Sequence, residues 1–222
     1  MQKKSNRREV YYFPDKLKKQ LAQIPVHPVT FVEAPSGFGK TTAVREYLKY
    51  NLPENAGQYW YICMGESRFL AWRNICTLLS YADPEAADKL KTIKMPAMDM
   101  LVYISEIIRD FRCDKEIYLV IDNYQLVDCN IQRELINILS MHGSSCLHII
   151  FITQNLITKP KITFHNANVH TIDASNFLFD KESTAVFFRK KGIRLTDEEL
   201  DKGYESTEGW ISAIKLPMIA YM

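Results

Sequence analysis

Five short apolar runs, separated by longer segments with helical spacing, limit most strongly what this chain can fold into. The runs are rich in β-branched and aromatic residues; they are Val29–Ala34, Tyr59–Met64, Ile117–Asp122, Leu147–Thr153 and Asn168–Asp173. Continuous rather than alternating apolarity is typical of strands that are covered on both faces. The pattern therefore predicts an α/β core, in which a five-stranded parallel sheet is flanked by helices.

The segments between these runs carry apolar residues three and four positions apart. Four such sets occur: Ala43, Val44, Tyr47 and Leu48; Phe69, Trp72, Ile75, Cys76 and Leu79; Met98, Leu101, Ile104, Ile107, Ile108 and Phe111; and Ile131, Leu135, Ile138 and Leu139. This spacing puts the apolar side chains on one face of a helix. We expect four crossover helices whose aromatic and methionine residues belong to the core.

The strand pattern ends near residue 173, and residues 174–222 carry helical signals instead. Asp180 is a candidate N-cap, and Thr196 with Glu199 has the spacing of a capping box, in which each side chain accepts a backbone N–H of the other. The chain is still apolar and amphipathic at its last residues. We therefore expect a small helical unit that belongs to a longer protein.

Composition narrows the class of protein. The chain is 47% hydrophobic, and it has neither an apolar run long enough to span a membrane nor the apolar segment of a signal peptide. The five cysteines are scattered without a CxxC pair, which argues against a disulfide framework or a zinc site. These features predict a cytoplasmic protein with no membrane partner.

The charge of the chain is concentrated at its N-terminus. The formal net charge is +2, but the first 20 residues hold seven Lys and Arg against two acidic residues, so the rest of the chain is slightly acidic. A short basic cluster more often solvates a terminus than binds a polyanion. We therefore expect no direct nucleic-acid binding by this chain.

The stretch EAPSGFGKTTAV lies between the first apolar run and the first helical segment. It fits the pattern [Gly/Ala]-x-x-x-x-Gly-Lys-Thr from Ala34 to Thr41. Gly37 and Gly39 can adopt backbone angles that point successive N–H groups around an anion, and the following helix adds its positive end. A turn that only joins a strand to a helix would not need the Lys-Thr pair. The stretch predicts a phosphate-binding loop.

Each residue type in this loop suits a particular part of a nucleotide. Lys40 would reach the β- and γ-phosphates, Thr41 would offer its hydroxyl to Mg²⁺, and Thr42 would meet the α-phosphate. A second Mg²⁺ ligand is expected from Asp122, because it ends a buried strand. A carboxylate there could instead cap a turn. The predicted cofactor-binding residues are Ala34, Pro35, Ser36, Gly37, Phe38, Gly39, Lys40, Thr41 and Thr42, and the predicted metal ligands are Thr41 and Asp122.

Polar residues also end the fourth apolar run. Thr153, Gln154 and Asn155 follow a buried strand, where polar groups can contact a γ-phosphate or position a water molecule. They could equally begin a loop. With Asp122 and its neighbour Asn123, Asn155 completes the set of candidate catalytic residues.

The segments PVTFVEAPSGFGKTTAVREYL, IYLVIDNYQLV, HIIFITQN and STEGWISAIKL occur in the order typical of one family. Together they resemble the N-terminal ATPase module of LuxR-type transcriptional regulators of the maltose-regulon activator kind, a branch of the signal-transduction ATPases with numerous domains (STAND). The resemblance covers most of the chain, to Trp210 and beyond. It implies a P-loop NTPase domain over residues 1–173, and the start of a helical lid domain over residues 174–222.

The resemblance also implies how the parts are arranged and used. The strand ending at Thr153 would lie between the other two site strands, Tyr12, Phe13 and Leu17 would lie near the adenine, and the TEGW segment would lie near the phosphates. Members of the family are ATP- and ADP-dependent switches that self-associate with ATP. Their sensor and DNA-binding domains are C-terminal, outside the present chain.

Three residues depart from the family pattern. Asn123 stands where an acidic residue often follows the aspartate, Asn155 stands where an arginine usually ends the strand, and Ile211 stands where a proline commonly follows Gly-Trp. The first two changes remove a general base and a positive charge that assist phosphoryl transfer. We therefore expect a nucleotide-binding switch with slow or absent hydrolysis. The alternative is a small-molecule kinase or phosphotransferase, for which Arg109, Arg112 and Arg133 could cover the phosphates.

Overall fold

The computed structural model describes residues 11–127, 132–142, 144–154 and 168–214. Within these ranges, five strands form one sheet: β1 (Val29–Glu33), β2 (Gly57–Ile62), β3 (Ile117–Asp122), β4 (Leu147–Thr153) and β5 (Val169–Ile172). Every neighbouring pair is parallel, and the order across the sheet is β2-β3-β4-β1-β5. The predicted five-stranded parallel sheet is therefore confirmed, as is the position of β4 between β1 and β3.

Helices connect and follow the strands. They are α1 (Asp15–Leu21), α2 (Lys40–Asn51), α3 (Arg68–Leu79), α4 (Pro84–Thr92), α5 (Leu101–Arg109), α6 (Gln132–His142), α7 (Ala174–Phe177), α8 (Lys181–Lys190) and α9 (Asp197–Thr207). Short 3-10 helices lie at Ile24–Val26, Met98–Met100 and Tyr124–Leu126. None of the helices in the described ranges is both long and apolar enough to cross a membrane.

The sheet is covered on both faces, which explains why every residue of β3 and β4 is buried. One face packs against α3 to α6, and Trp72 is buried there with its indole N–H donating to the carbonyl of Ile93 at 2.7 Å. The other face packs against α1 and α2 through residues such as Leu17 and Val44. Alternate residues of each strand supply the two cores, as in Tyr118 and Leu119 of β3.

Two helices of the unit that follows the sheet, α8 and α9, begin at the caps that the sequence predicts. Asp180 accepts the backbone N–H of Ser183 at 2.7 Å, so it is the N-cap of α8. Thr196 and Glu199 form the expected capping box at the start of α9. Phe179, Phe187 and Ile214 form a small core of their own here, and Tyr12 packs against it.

The helices α1 and α4, which lie before the sheet and between its strands, were not expected from the periodicity. Each is short, and each buries only two or three apolar side chains: Leu17 and Leu21 in α1, and Ala86, Ala87 and Leu90 in α4. A local signal for α4 is present, because Asp83 caps it and Pro84 begins it. The boundary between residues 173 and 174 stays a prediction, and Phe177 of α7 packs into the core of the sheet.

Candidate functional site

The loop from Ala34 to Gly39 joins the carboxyl end of β1 to the start of α2. Gly37 and Gly39 have φ angles of +82° and +81°, which side-chain-bearing residues rarely adopt. Gly39 is also the N-cap of α2, and glycine has no side chain with which to satisfy the first N–H groups of a helix. The loop therefore leads into the positive end of a 12-residue helix whose N-cap residue supplies no side-chain acceptor.

Lys40 is buried at the base of this loop. Its ammonium donates to the carbonyl oxygens of Ala34 and Pro35 at 2.6 and 2.9 Å. Burial lowers the pKa of the Lys40 ammonium, and the carboxylate of Asp122 opposes that change. A partly desolvated ammonium held by neutral carbonyl groups gains from an incoming anion, because an anion supplies the full opposite charge that carbonyl groups lack.

Thr41 and Asp122 meet across the sheet edge. The Thr41 hydroxyl donates to one carboxylate oxygen of Asp122 at 2.9 Å, and the other oxygen accepts the backbone N–H of Asn123 at 2.9 Å. Asp122 is only 6% exposed. A hydroxyl and a carboxylate are oxygen ligands of the kind that Mg²⁺ takes.

The described residues contain no cluster of three or more His, Cys, Asp or Glu side chains that could enclose a metal. Mg²⁺ does not need such a cluster. It commonly binds through one or two protein ligands, substrate phosphates and several waters. The Thr41–Asp122 pair therefore fits this ion better than it fits a metal that requires a complete protein cage.

Asn123 has a structural role at this edge. Its φ of +56° turns the chain in the left-handed region directly after Asp122. Asparagine is several-fold enriched in this region among side-chain-bearing residues. Its side-chain amide also donates to the carbonyl of Cys63 at 3.5 Å.

The end of β4 lies beside the loop, as the resemblance implies. The backbone N–H of Ala34 donates to the carbonyl of Thr153. Thr153 is fully buried, and among the described residues its hydroxyl has no hydrogen-bond partner. The backbone N–H of Gln154 donates to the side chain of Gln125 at 3.2 Å. Asn155 lies outside the described residues.

A cavity of about 160 Å³ adjoins the loop. Three parts of the chain enclose it: the segment before α1, the glycine loop and the helical unit. Its lining is largely apolar and consists of Tyr11, Tyr12, Phe13, Pro14, Leu17, Phe38, Gly39, Thr42, Phe177, Phe179, Phe187, Lys191 and Ile211. Tyr12, Phe13 and Leu17 thus lie next to Gly39 and Thr42, as the resemblance implies for the residues around a base.

Sequence reasoning missed the contribution of the helical unit to this cavity. Phe177, Phe179 and Phe187 show only the apolar periodicity of a core, and Lys191 follows α8 in a run of basic residues. No local signal distinguishes these residues from ordinary core or surface positions. Only their docking against the loop makes them part of the site.

The helical unit also touches the loop directly. Trp210 stacks on Phe38 with the ring centroids 6.1 Å apart, and the hydroxyl of Ser212 donates to the carbonyl oxygen of Gly37. The segment that the resemblance puts near the phosphates therefore packs on the loop itself.

Comparisons with known proteins support the fold. The chain is similar to a signal transduction ATPase with numerous domains (STAND) that has a tetratricopeptide repeat sensor, from Pyrococcus horikoshii, with a TM-score of 0.53 and 21% identity over 90% of this chain. It is also similar to a Walker-type ATPase of Pyrococcus abyssi, with a TM-score of 0.52 and 16% identity over 95% of this chain. This chain has the fold of a P-loop ATPase.

The chain corresponds to part of each of these two proteins. The chain spans 28% of the length of the STAND protein and 67% of the length of the Walker-type ATPase. No family model matches the chain, and no curated protein matches it. The P-loop ATPase fold brings the glycine loop, Lys40, Thr41 and Asp122 to the carboxyl edge of the sheet, where ligands bind in open α/β sheets.

Proposed function

We propose that this chain binds ATP and ADP as a regulatory switch module. The observation that carries the proposal is the joint geometry of three side chains: Lys40 is buried at the base of the glycine loop, and Thr41 is hydrogen-bonded to Asp122 at 2.9 Å. The loop and Lys40 would hold the phosphates, and the aromatic-lined cavity beside Thr42 would take the base.

Mg²⁺ belongs to the same proposal. When bound, it would neutralise charge on the phosphates and fix their orientation. Thr41 and Asp122 would hold it, and their hydrogen bond already brings the two oxygen ligands together. The Thr41 hydroxyl keeps both of its lone pairs while it donates to Asp122, so it could bind the ion and retain that hydrogen bond.

We propose slow or absent hydrolysis. Asn123 carries no carboxylate that could accept a proton from water, and its side-chain amide is directed to the carbonyl of Cys63. Asn155 is uncharged, and it stands where the family that this chain resembles usually has an arginine. A site with a complete phosphate cradle but without these two groups favours holding a nucleotide over turning it over.

The resemblance to LuxR-type regulators extends the proposal to the cellular role. The module would work in the cytoplasm as part of a transcriptional regulator, with other domains sensing the inducer and binding DNA. Self-association would depend on the bound nucleotide. The STAND-like fold supports this context.

The first experiment replaces Lys40 by alanine. We expect Lys40→Ala to weaken Mg-ATP and Mg-ADP binding at least tenfold, because hydrogen bonds to charged groups contribute roughly 1.5 to 3 kcal/mol. The measurement is isothermal titration calorimetry. Lys49→Ala is the matched control, since Lys49 lies on the same helix and is exposed beside Tyr50. Equal affinity of wild type and Lys40→Ala would show that the site is wrongly assigned.

The alternative of a small-molecule phosphotransferase gains no support from the positions of Arg109 and Arg112. Arg109 ends α5, and Arg112 follows it in the connection to the start of β3. They therefore lie at the amino edge of the sheet, opposite the glycine loop. Arg133 has no described side chain. Assays of ADP release across candidate acceptors test this alternative, and robust turnover that depends on a small molecule would favour it over the switch.

A further inference from the structure

We infer that Ser212 is a positioning residue for the phosphate-binding loop. This inference rests on the proposed function, because it assigns to the helical unit a part in holding the phosphates of the same nucleotide. The observation behind it is the hydrogen bond from the Ser212 hydroxyl to the carbonyl oxygen of Gly37, across 175 positions of the chain.

The planarity of the peptide group turns this contact into an orientation of the loop. The Gly37–Phe38 peptide bond is trans, so its C=O and N–H groups point in opposite directions. Ser212 holds the carbonyl oxygen on the side of the helical unit. The N–H of Phe38 is thereby held on the opposite side, which is the side where the proposed site would hold a phosphate.

The contact is close enough to fix this peptide group. A methyl group added at Gly37 would lie 3.1 Å from the Ser212 hydroxyl oxygen and 3.1 Å from the Trp210 ring. Trp210 also stacks on Phe38, so the peptide group is held by a hydrogen bond on one side and by a ring contact on the next residue. A glycine with φ of +82° has no side chain to restrict its own rotation, and an external contact supplies that restriction.

Orientation matters because a P-loop binds phosphate through N–H groups that already point inward. If the Gly37–Phe38 peptide group rotated, one donor would leave the cradle and a carbonyl oxygen would approach the anion. Preorganised donors bind more tightly since less ordering takes place on binding. Ser212 would thus link the docking of the helical unit to the affinity for phosphate.

The test compares ADP with AMP. In the proposed site, the N–H groups ahead of α2 would contact the phosphate beyond the α-phosphate, which AMP lacks, so the ratio of the AMP and ADP dissociation constants would measure their contribution. We expect Ser212→Ala to lower this ratio roughly three- to tenfold, the effect of one hydrogen bond. The dissociation constants are measured by competition against a fluorescent ADP analogue.

Two variants separate this role from a general effect on folding. Ser212→Thr keeps the hydroxyl and should keep the wild-type ratio. Ser206→Ala removes an exposed hydroxyl of the same unit that donates only within its own helix, to Gly203, and should also leave the ratio unchanged. A ratio in Ser212→Ala within twofold of wild type would overturn the inference, as would an equal loss in Ser212→Thr.

The outcomes also distinguish this inference from the proposed function. If wild-type protein binds neither ADP nor ATP, the proposed function fails and this inference fails with it. If wild type binds ADP and Lys40→Ala does not, but Ser212→Ala keeps the wild-type ratio, only the role of Ser212 is refuted.

Discussion

Asn123 affects both the backbone turn after Asp122 and the chemistry of the proposed site. The chain must turn sharply after Asp122, and Asn123 does so with a φ of +56°. Most L-residues are sterically disfavoured in this left-handed conformation because Cβ approaches the neighbouring carbonyl group, whereas asparagine and glycine tolerate the conformation. Aspartate tolerates the same angle, so the turn explains a residue of this shape at position 123 but does not explain the missing carboxylate.

Substitutions of Asn123 distinguish the effect of its backbone angle on stability from the effect of its side-chain hydrogen bond. We expect Asn123→Ala to lower the free energy of unfolding by about 1 kcal/mol, because the Cβ of alanine makes the left-handed conformation sterically unfavourable. Asn123→Gly should cost less, since glycine does not. Urea denaturation measures both values. If Asn123→Gly loses as much stability as Asn123→Ala, the hydrogen bond to Cys63 matters and the backbone angle does not.

Lys40, Thr41 and Asp122 are the site residues that sequence reasoning predicts and that the structure brings together. Their positions follow from local rules: a glycine loop leads from a strand into a helix, and a carboxylate ends a neighbouring strand. Their role in binding stays a prediction, which the Lys40→Ala experiment tests.

At the scale of helices and strands, periodicity predicted the long elements better than the short ones. The strands β3 and β4 have the predicted bounds, because each is a buried run with polar residues on both sides. The helices α1 and α4 were not predicted because their large apolar side chains are few, namely Leu17 and Leu21 in α1 and Leu90 in α4, so no apolar stripe stands out. Capping residues predicted the starts of α8 and α9, and the structure has side-chain caps at both.

The cap of α8 yields a quantitative prediction. We expect Asp180→Ala to lower the free energy of unfolding by about 1 kcal/mol, because the Ser183 N–H loses its acceptor. Asp180→Asn should retain most of the stability, since asparagine also caps helices. Urea denaturation at neutral pH checks both variants, and an unchanged Asp180→Ala would contradict the role of the cap.

The same cap predicts the effect of acid. Hydrogen bonds from Ser183 lower the pKa of Asp180 below its ordinary value of 3.8. The folded protein therefore holds the ionised form more strongly than the unfolded chain does. The cap contributes fully above the ordinary pKa, and its contribution is lost as the pH falls through the lowered value. The stability difference between wild type and Asp180→Asn should accordingly shrink below about pH 4.

At the scale of the whole molecule, the proposed nucleotide site joins the helical unit to the sheet. Its cavity is lined by Tyr12 before the sheet, Thr42 beside it and Lys191 after it. A ligand that fills this cavity contacts all three parts, so its binding energy stabilises their docking as well as the core of the sheet.

This arrangement predicts a thermal shift. Mg-ADP at about a hundredfold excess over its dissociation constant stabilises the folded state by about 2.7 kcal/mol. For a chain of this size, we expect the melting temperature to rise by roughly 5 to 10 °C. Thermal denaturation followed by circular dichroism measures the shift. The same rise in Lys40→Ala would mean that the ligand binds elsewhere.

The sequence by itself determined the α/β class, the phosphate-loop pattern and the capped helices, because these properties depend on residues within a few positions of one another. The tertiary structure alone decided that Ser212 bonds to Gly37 and that Lys191 lines the cavity beside the loop. The physical reason is distance along the chain. Contacts between segments 175 positions apart depend on how the helical unit docks against the sheet, and no local periodicity or motif predicts that docking.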